Sequence, residues 1–150
     1  MTRTFLPLLR EAPEAVIVNI SSLFGLIAPA GQTAYCASKY GLRGFSDSLR
    51  HELAGSTVRV MTVHPGGVRT AIADDARLPA GINDAEEGRE RMNAFLKMPP
   101  EDAAEVILRG IERGKRRVLI GRDARIAALI ERIFPDSYWS RLSRLSQSKQ

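Results

Sequence analysis

Tyr35 and Lys39 stand four residues apart in the run Tyr35-Cys36-Ala37-Ser38-Lys39. In a helix that spacing puts a phenol and an ammonium one turn apart on the same face. A phenol with its ordinary pKa of about 10 is a poor proton donor or acceptor near neutrality. A neighbouring cation stabilises the phenolate, which makes the tyrosine a usable general acid/base. Alone the pair is a weak signal, because any exposed helix can carry it. Two other features give it context. Ser22, with Ser21 as its competitor, lies thirteen residues upstream and just past the carboxyl end of an apparent buried strand. Ligands of open α/β sheets bind at such ends. The segment Pro65-Gly66-Gly67-Val68-Arg69-Thr70 follows the next strand and again falls at its carboxyl end.

The elements that must position these residues alternate along the chain. Met1 to Arg10 reads as helix, with Pro7 an awkward interior residue. The β-branched run Ala15 to Ser21 reads as a buried strand. Thr33 to Ala54 is helical, with Tyr35, Lys39, Leu42, Phe45, Leu49 and Leu53 at spacings of three and four. Val58 to Val63 is a second strand. Thr70 to Met98 is polar and weakly periodic, a length of loop that is often a lid or binding segment. Pro99-Pro100-Glu101-Asp102 opens a helix with an apolar side of Ala103, Val106, Ile107 and Ile111. Arg116 to Ile120 is a third, short strand. Asp123 is expected to cap a helix whose Ile126, Leu129, Ile130, Ile133 and Phe134 form a stripe. Tyr138, Trp139, Leu142 and Leu145 mark a last amphipathic segment. Strands alternating with helices predict an α/β fold with a parallel sheet.

The run Ile17-Val18-Asn19-Ile20-Ser21-Ser22, then Tyr35-x-x-x-Lys39, then Pro65 to Thr70 resembles the short-chain dehydrogenase/reductase family. The likeness is close from Met1 to Thr70 and looser from Pro99 to Gly121. It implies the later strands and helices of a Rossmann-like, doubly wound parallel sheet. It also implies hydride transfer between NAD or NADP and a small-molecule alcohol or carbonyl substrate. Under that resemblance Tyr35 is the proton donor or acceptor, and Ser22 hydrogen-bonds the substrate oxygen. Lys39 binds the nicotinamide ribose and depresses the tyrosine pKa. The backbone after Pro65 and Gly66, near Val68, and the Thr70 hydroxyl hold the nicotinamide carboxamide. The helix from Thr33 resembles the one through which family members associate, so a homo-oligomer is expected.

The departures carry equal weight. The family's glycine-rich turn, T-G-x-x-x-G-x-G, which cradles pyrophosphate at a helix N-terminus, does not occur here. The residue that selects NAD or NADP and the asparagine of the catalytic tetrad are also missing. Asn19 is not that asparagine, since it lies in the strand leading to Ser22. Residues 1–150 are therefore expected to be the C-terminal part of one NAD(P)-binding domain, with 71–98 as substrate lid and 123–150 as C-terminal amphipathic helices. The competing reading is a non-catalytic binding or oligomerisation protein derived from the same family.

Composition bounds the remaining classes. Of 150 residues, 44% are hydrophobic and 26% charged, near the globular average, which excludes a disordered or collagen-like chain. No run of about 18 uncharged apolar residues occurs, and Met1 to Pro7 carries no apolar core, so neither a transmembrane helix nor a secretory leader is expected. A single cysteine, Cys36, cannot form an internal disulfide and fits a reducing cytoplasm. Beside Tyr35 it reads as packing and not as a nucleophile. His51 and His64 lack partners at metal spacing, so no metal site is expected. The net charge of +5 attracts polyanions without defining a site, and no specific nucleic-acid partner is expected. The apolar residues after Asp123 read as core or subunit interface, ahead of a membrane-surface contact that the nearby arginines would favour.

Overall fold

In the computed structural model, which describes residues 1–71, 89–90 and 93–147, three parallel strands lie in the order β1-β2-β3. They are β1 (Ala15–Ile20), β2 (Val58–Pro65) and β3 (Arg117–Ile120). Helix α1 (Thr2–Glu11) precedes β1, and α2 (Thr33–Glu52) and α3 (Pro100–Glu112) connect the successive strands. Helices α4 (Arg122–Ile133) and α5 (Tyr138–Gln147) follow β3. The alternation read from the sequence is thus an α/β fold with a parallel sheet. Both strands of each pair run the same way because a long crossover, here a helix, joins them. Most of the expected lid, residues 72–88 and 91–92, lies outside the described residues.

β2 is the central strand, and its period of two sends alternate side chains to two cores. Val58 and Val60 pack with Leu49 and Leu53 of α2 and with Leu6 and Leu9 of α1. Met61 and Val63 pack against Ala103, Val106, Ile107 and Ile111 of α3, the apolar side expected from the sequence. Each such aliphatic burial stabilises by roughly 1.5–3 kcal/mol relative to exposure. Arg50 of α2 adds a polar tie, donating to the carbonyls of Val60 (3.1 Å) and Arg116 (3.1 Å). Helix and sheet are thereby fixed to one another.

α4 corrects one expectation. Its packed face is Ala124 and Ala127, set against Leu23, Ile27 and Leu119, whereas Ile126, Leu129 and Ile133 are exposed. The segment before α2 approaches α4 so closely that only alanine fits between them. The larger residues of the stripe therefore fall on the opposite side of the helix and form no core. Tyr138 and Leu142 of α5 do join the packed side, and the Tyr138 hydroxyl accepts the Ala28 N–H at 3.1 Å. Trp139 is exposed, and the Leu145 side chain lies outside the described residues.

The register fixes where chemistry can sit. Ile20 pairs with Val63, and Pro65 pairs with Ile120. The ladder runs one bond further at each strand, from Ser21 N to the Val63 carbonyl (2.8 Å) and from Gly66 N to the Ile120 carbonyl (2.9 Å). The residues that follow β1, β2 and β3 therefore emerge along one edge of the sheet.

Candidate active site

At the end of β1 the two competing serines are turned to different uses. Ser21 is buried, and its hydroxyl donates to the Lys39 carbonyl at 3.0 Å. Ser22 is half-buried and caps one turn of 3-10 helix, Leu23–Gly25, with its Oγ accepting the Phe24 N–H at 3.1 Å. One acceptor position of Ser22 Oγ is thus occupied by the backbone, and its O–H remains a donor that rotates about the Cβ–Oγ bond. Ser21 spends its proton on the helix. Ser22 does not.

Gly25 makes the turn possible. A Cβ at this position would lie 2.4 Å from Ser21 Oγ and 2.9 Å from the Lys39 carbonyl oxygen. Only a residue with no side chain lets the turn lie this close to α2. The close approach brings Phe24 edge-on to Tyr35, with ring centroids 6.1 Å apart and an interplanar angle of 88°. Tyr35 itself remains partly open to solvent, 37% exposed.

Lys39 reaches back from α2 toward the strand. Its Nζ donates to the Ile20 carbonyl at 3.3 Å and lies 5.5 Å from the centre of the Tyr35 ring. The one-turn spacing read from the sequence therefore places a cation over the ring, within cation–π range. Other groups nearby are excluded from acid–base work. The Tyr40 hydroxyl donates to the Leu26 carbonyl, and burial, reinforced by Tyr138 and Glu131, pushes its pKa up to about 12. Cys36 is buried and its thiol is likewise pushed up, which fits packing.

After β2 the Pro65–Thr70 segment is held by its own backbone. Gly67 N donates to Asp123 Oδ2 (2.8 Å), Val68 N to the Gly66 carbonyl (3.0 Å), and Arg69 N to the Met98 carbonyl (2.8 Å). Lys97 N and Met98 N both donate to the Gly67 carbonyl, and Val68 bridges to Met98. A Cβ on Gly66 would overlap the Asp123 carboxylate, 2.1 Å from Oδ2, so this glycine seats the carboxylate beneath the turn. Asp123 is not the cap expected from the sequence: α4 has Gly121 at its N-cap with no side-chain cap bond. Its carboxylate faces β2, where an acid in the first turn of α4 also meets the positive end of the helix.

His64, the last residue before Pro65, is fully buried and bonds through Nδ1 to the Ser22 carbonyl at 2.9 Å. Burial lowers its pKa from 6.5, with Arg43 and Arg117 adding to the effect and the Ser22 bond opposing it. Neither His64 nor Asp123 belongs to the site as read from the sequence. A histidine in phase with a strand's buried residues, immediately before a Pro-Gly turn, was the available signal. Among the described residues no cluster of His, Cys, Asp and Glu could hold a metal ion.

Tyr35 and Lys39 thus lie together on α2, and Ser22 follows β1 at the carboxyl end of the parallel sheet, next to the Phe24 that packs on Tyr35. The fold is an α/β domain with these residues at its strand ends. The family model for short chain dehydrogenases matches residues 1–80. SadH of Mycobacterium tuberculosis is 42% identical over 140 residues, covering 91% of this chain and 50% of SadH. The Dehydrogenase/reductase SDR family protein 7-like of Anopheles gambiae is 32% identical over 140 residues, covering 93% of this chain and 43% of its own length. A short chain dehydrogenase from Burkholderia cenocepacia, solved in complex with NADP, superposes with a TM-score of 0.75 at 25% identity, over 95% of this chain and 52% of that one. A short chain dehydrogenase/reductase from Burkholderia phymatum, solved with NAD, gives 0.75 at 25% identity over 87% and 52%. The chain belongs to the short-chain dehydrogenase/reductase family. It spans about half the length of the curated relatives it matches.

Proposed function

We propose that these residues supply the catalytic, substrate-facing half of a nicotinamide-dependent oxidoreductase that interconverts an alcohol and a carbonyl. The observation that supports this reading is the Lys39 ammonium over the Tyr35 ring, with Lys39 tied back to the last residue of β1, which Ser21 and Ser22 directly follow. Phe24 against Tyr35, Ser21 on Lys39 and Lys39 on Ile20 hold that arrangement. The edge fits the nicotinamide-ribose end of a cofactor: Lys39 presents an ammonium, and the Pro65–Thr70 turn presents a glycine backbone. Val68 N must leave the Gly66 carbonyl to meet a carboxamide, and that bond spans only two residues, a bent and weak geometry. Thr70, exposed at the end of the turn, would supply its hydroxyl to the same group. The sequence carries no T-G-x-x-x-G-x-G turn of the kind that cradles pyrophosphate.

In the reduction direction Ser22 donates its hydroxyl proton as a hydrogen bond to the substrate carbonyl oxygen. A nicotinamide held at this edge would supply the hydride to the carbonyl carbon. As negative charge grows on the oxygen, the Tyr35 phenol transfers its proton there, and the product is the neutral alcohol. The phenolate left on Tyr35 lies beside the Lys39 ammonium, which stabilises that charge. Oxidation runs the same steps in reverse. NAD or NADP both fit this description, and the chain alone is expected to bind either weakly. A cytoplasmic homo-oligomer associating through α2 completes the reading.

The test is Tyr35→Phe in a polypeptide that joins these residues to a pyrophosphate-binding half, with carbonyl reduction followed by nicotinamide absorbance. Loss of a general acid is expected to lower kcat by about 10²–10⁴-fold. Full activity in Tyr35→Phe would refute the mechanism.

A further inference from the structure

His64 carries an anomaly that packing alone does not explain. It is fully buried in the central strand, yet its Nε2 has no hydrogen-bond partner among the described residues. Leaving a buried polar atom unpaired is unfavourable. An apolar residue of similar volume would fill the position without that cost. The other ring nitrogen shows what is gained in return. Nδ1 meets the carbonyl of Ser22 at 2.9 Å, and the same carbonyl accepts the Gly25 N–H at 3.0 Å. Both lone pairs of that oxygen are therefore in use. A carbonyl only accepts, so Nδ1 must bear the proton, and Nε2 is the bare nitrogen.

We propose that His64 is a positioning residue for Ser22: its Nδ1–H, donated to the Ser22 carbonyl, sets the serine peptide and ties it to the Pro65-Gly66-Gly67 turn. This rests on the proposed function above and names a further residue that it needs. Ser22 leaves β1 in an extended conformation, past the last strand bond at Ser21 N. Its carbonyl lies beyond that last ladder bond, and the imidazole gives it a donor that the sheet does not supply. The ring's own backbone leads directly into the turn after β2, where His64 pairs with Leu119 and Pro65 with Ile120. The serine that would touch substrate and the turn that would touch the nicotinamide therefore move as one body.

Two amides of equal polarity separate this role from simple filling. In His64→Asn the side-chain nitrogen falls where Nδ1 stood and can still donate to Ser22. In His64→Gln it lies one methylene further out, toward the position of Nε2. The 150-residue chain is first examined by nitrogen-15 NMR. The wild type should show a protonated Nδ1 and a bare Nε2 at neutral pH, and the Ser22 carbonyl resonance should shift in His64→Gln but hardly in His64→Asn. In the polypeptide joined to its pyrophosphate-binding half, His64→Asn should keep kcat within about threefold. His64→Gln should lose about 10–100-fold in kcat with KM for the cofactor little changed, the signature of a displaced group and not of lost binding. The Nε2-protonated tautomer, or equal behaviour of the two amides in both measurements, would overturn the proposal. Neither result bears on the role of Tyr35, whose own variant decides the underlying reaction.

Discussion

Gly25→Ala tests whether a single close approach assembles the site. The new methyl would meet Ser21 Oγ at 2.4 Å and the Lys39 carbonyl oxygen at 2.9 Å. The serine can rotate away, but doing so breaks its bond to the same Lys39 carbonyl, a loss of about 1 kcal/mol. The helix backbone cannot rotate away, and overpacking against it costs about 1–3 kcal/mol. Alanine regains about 0.4–1 kcal/mol by restricting the unfolded chain. The net destabilisation is about 1–3 kcal/mol, which lowers Tm by roughly 3–12 °C for a chain of this size. Thermal unfolding of Gly25→Ala, Ser21→Ala and the double variant measures it. With Ser21 already truncated, only the Lys39 overlap remains, so the second substitution costs less than it does alone, by about 0.5–1 kcal/mol. Unchanged stability in Gly25→Ala, or strict additivity of the two substitutions, would refute the reasoning.

Other outcomes follow from the same geometry. Asp123→Ala leaves Gly67 N without its acceptor and removes a charge-assisted bond of about 1.5–3 kcal/mol. Its expected result in the joined polypeptide is a raised KM for the nicotinamide with substrate KM less affected, read by steady-state kinetics; an unchanged KM would detach Asp123 from the turn. His64 also makes stability depend on pH. Its folded pKa lies below 6.5, so as pH falls beneath that value the unfolded chain binds a proton that the folded chain refuses. Stability from this group is full above about pH 6.5 and declines on acidification, with a limiting slope of about 1.4 kcal/mol per pH unit. Urea unfolding from about pH 7.5 to 5 should show this decline in the wild type beyond that in His64→Asn, and identical curves would contradict it.

Some of this molecule was legible in its residues because short-range chemistry writes itself into spacing. The Tyr35–Lys39 pair depends only on helical pitch, and the strands read from Ala15, Val58 and Arg116 depend on β-branched runs that no helix face would explain. The residues that hold the site in place left fainter traces. Asp123 looked like a helix cap because acids favour first turns. Its true acceptor role, toward Gly67, arises from contact across 56 positions of sequence. The stripe of Ile126, Leu129 and Ile133 read as core or subunit interface, and only the core alternative is overturned, since periodicity reports amphipathicity without saying which face meets the sheet. Close approach of the turn before α2 reversed that choice in favour of Ala124 and Ala127. Ser21 and Ser22 could not be separated by type or position. Only the direction of one hydroxyl, toward the Lys39 carbonyl, divides them.

These contacts also divide labour between the two halves of such a fold. Ser22 is oriented by Phe24, Gly25 and His64. Lys39 is oriented by Ser21 and Ile20, and Tyr35 by Phe24 and Lys39. Every partner lies between Ile20 and His64, on β1, α2, β2 and the turn that joins the first two. Under the proposed function, the geometry of proton transfer would therefore be set without reference to the pyrophosphate end of a cofactor. Binding energy from that remote end would serve a different purpose under the same proposal: it would bring the nicotinamide to an acid and a hydrogen-bond donor already held in place. On the proposed function, such a constellation would reach its rate by accurate delivery of the reacting ring, which would make the Pro65–Thr70 turn, and the Asp123 and His64 contacts behind it, the point where the two contributions meet.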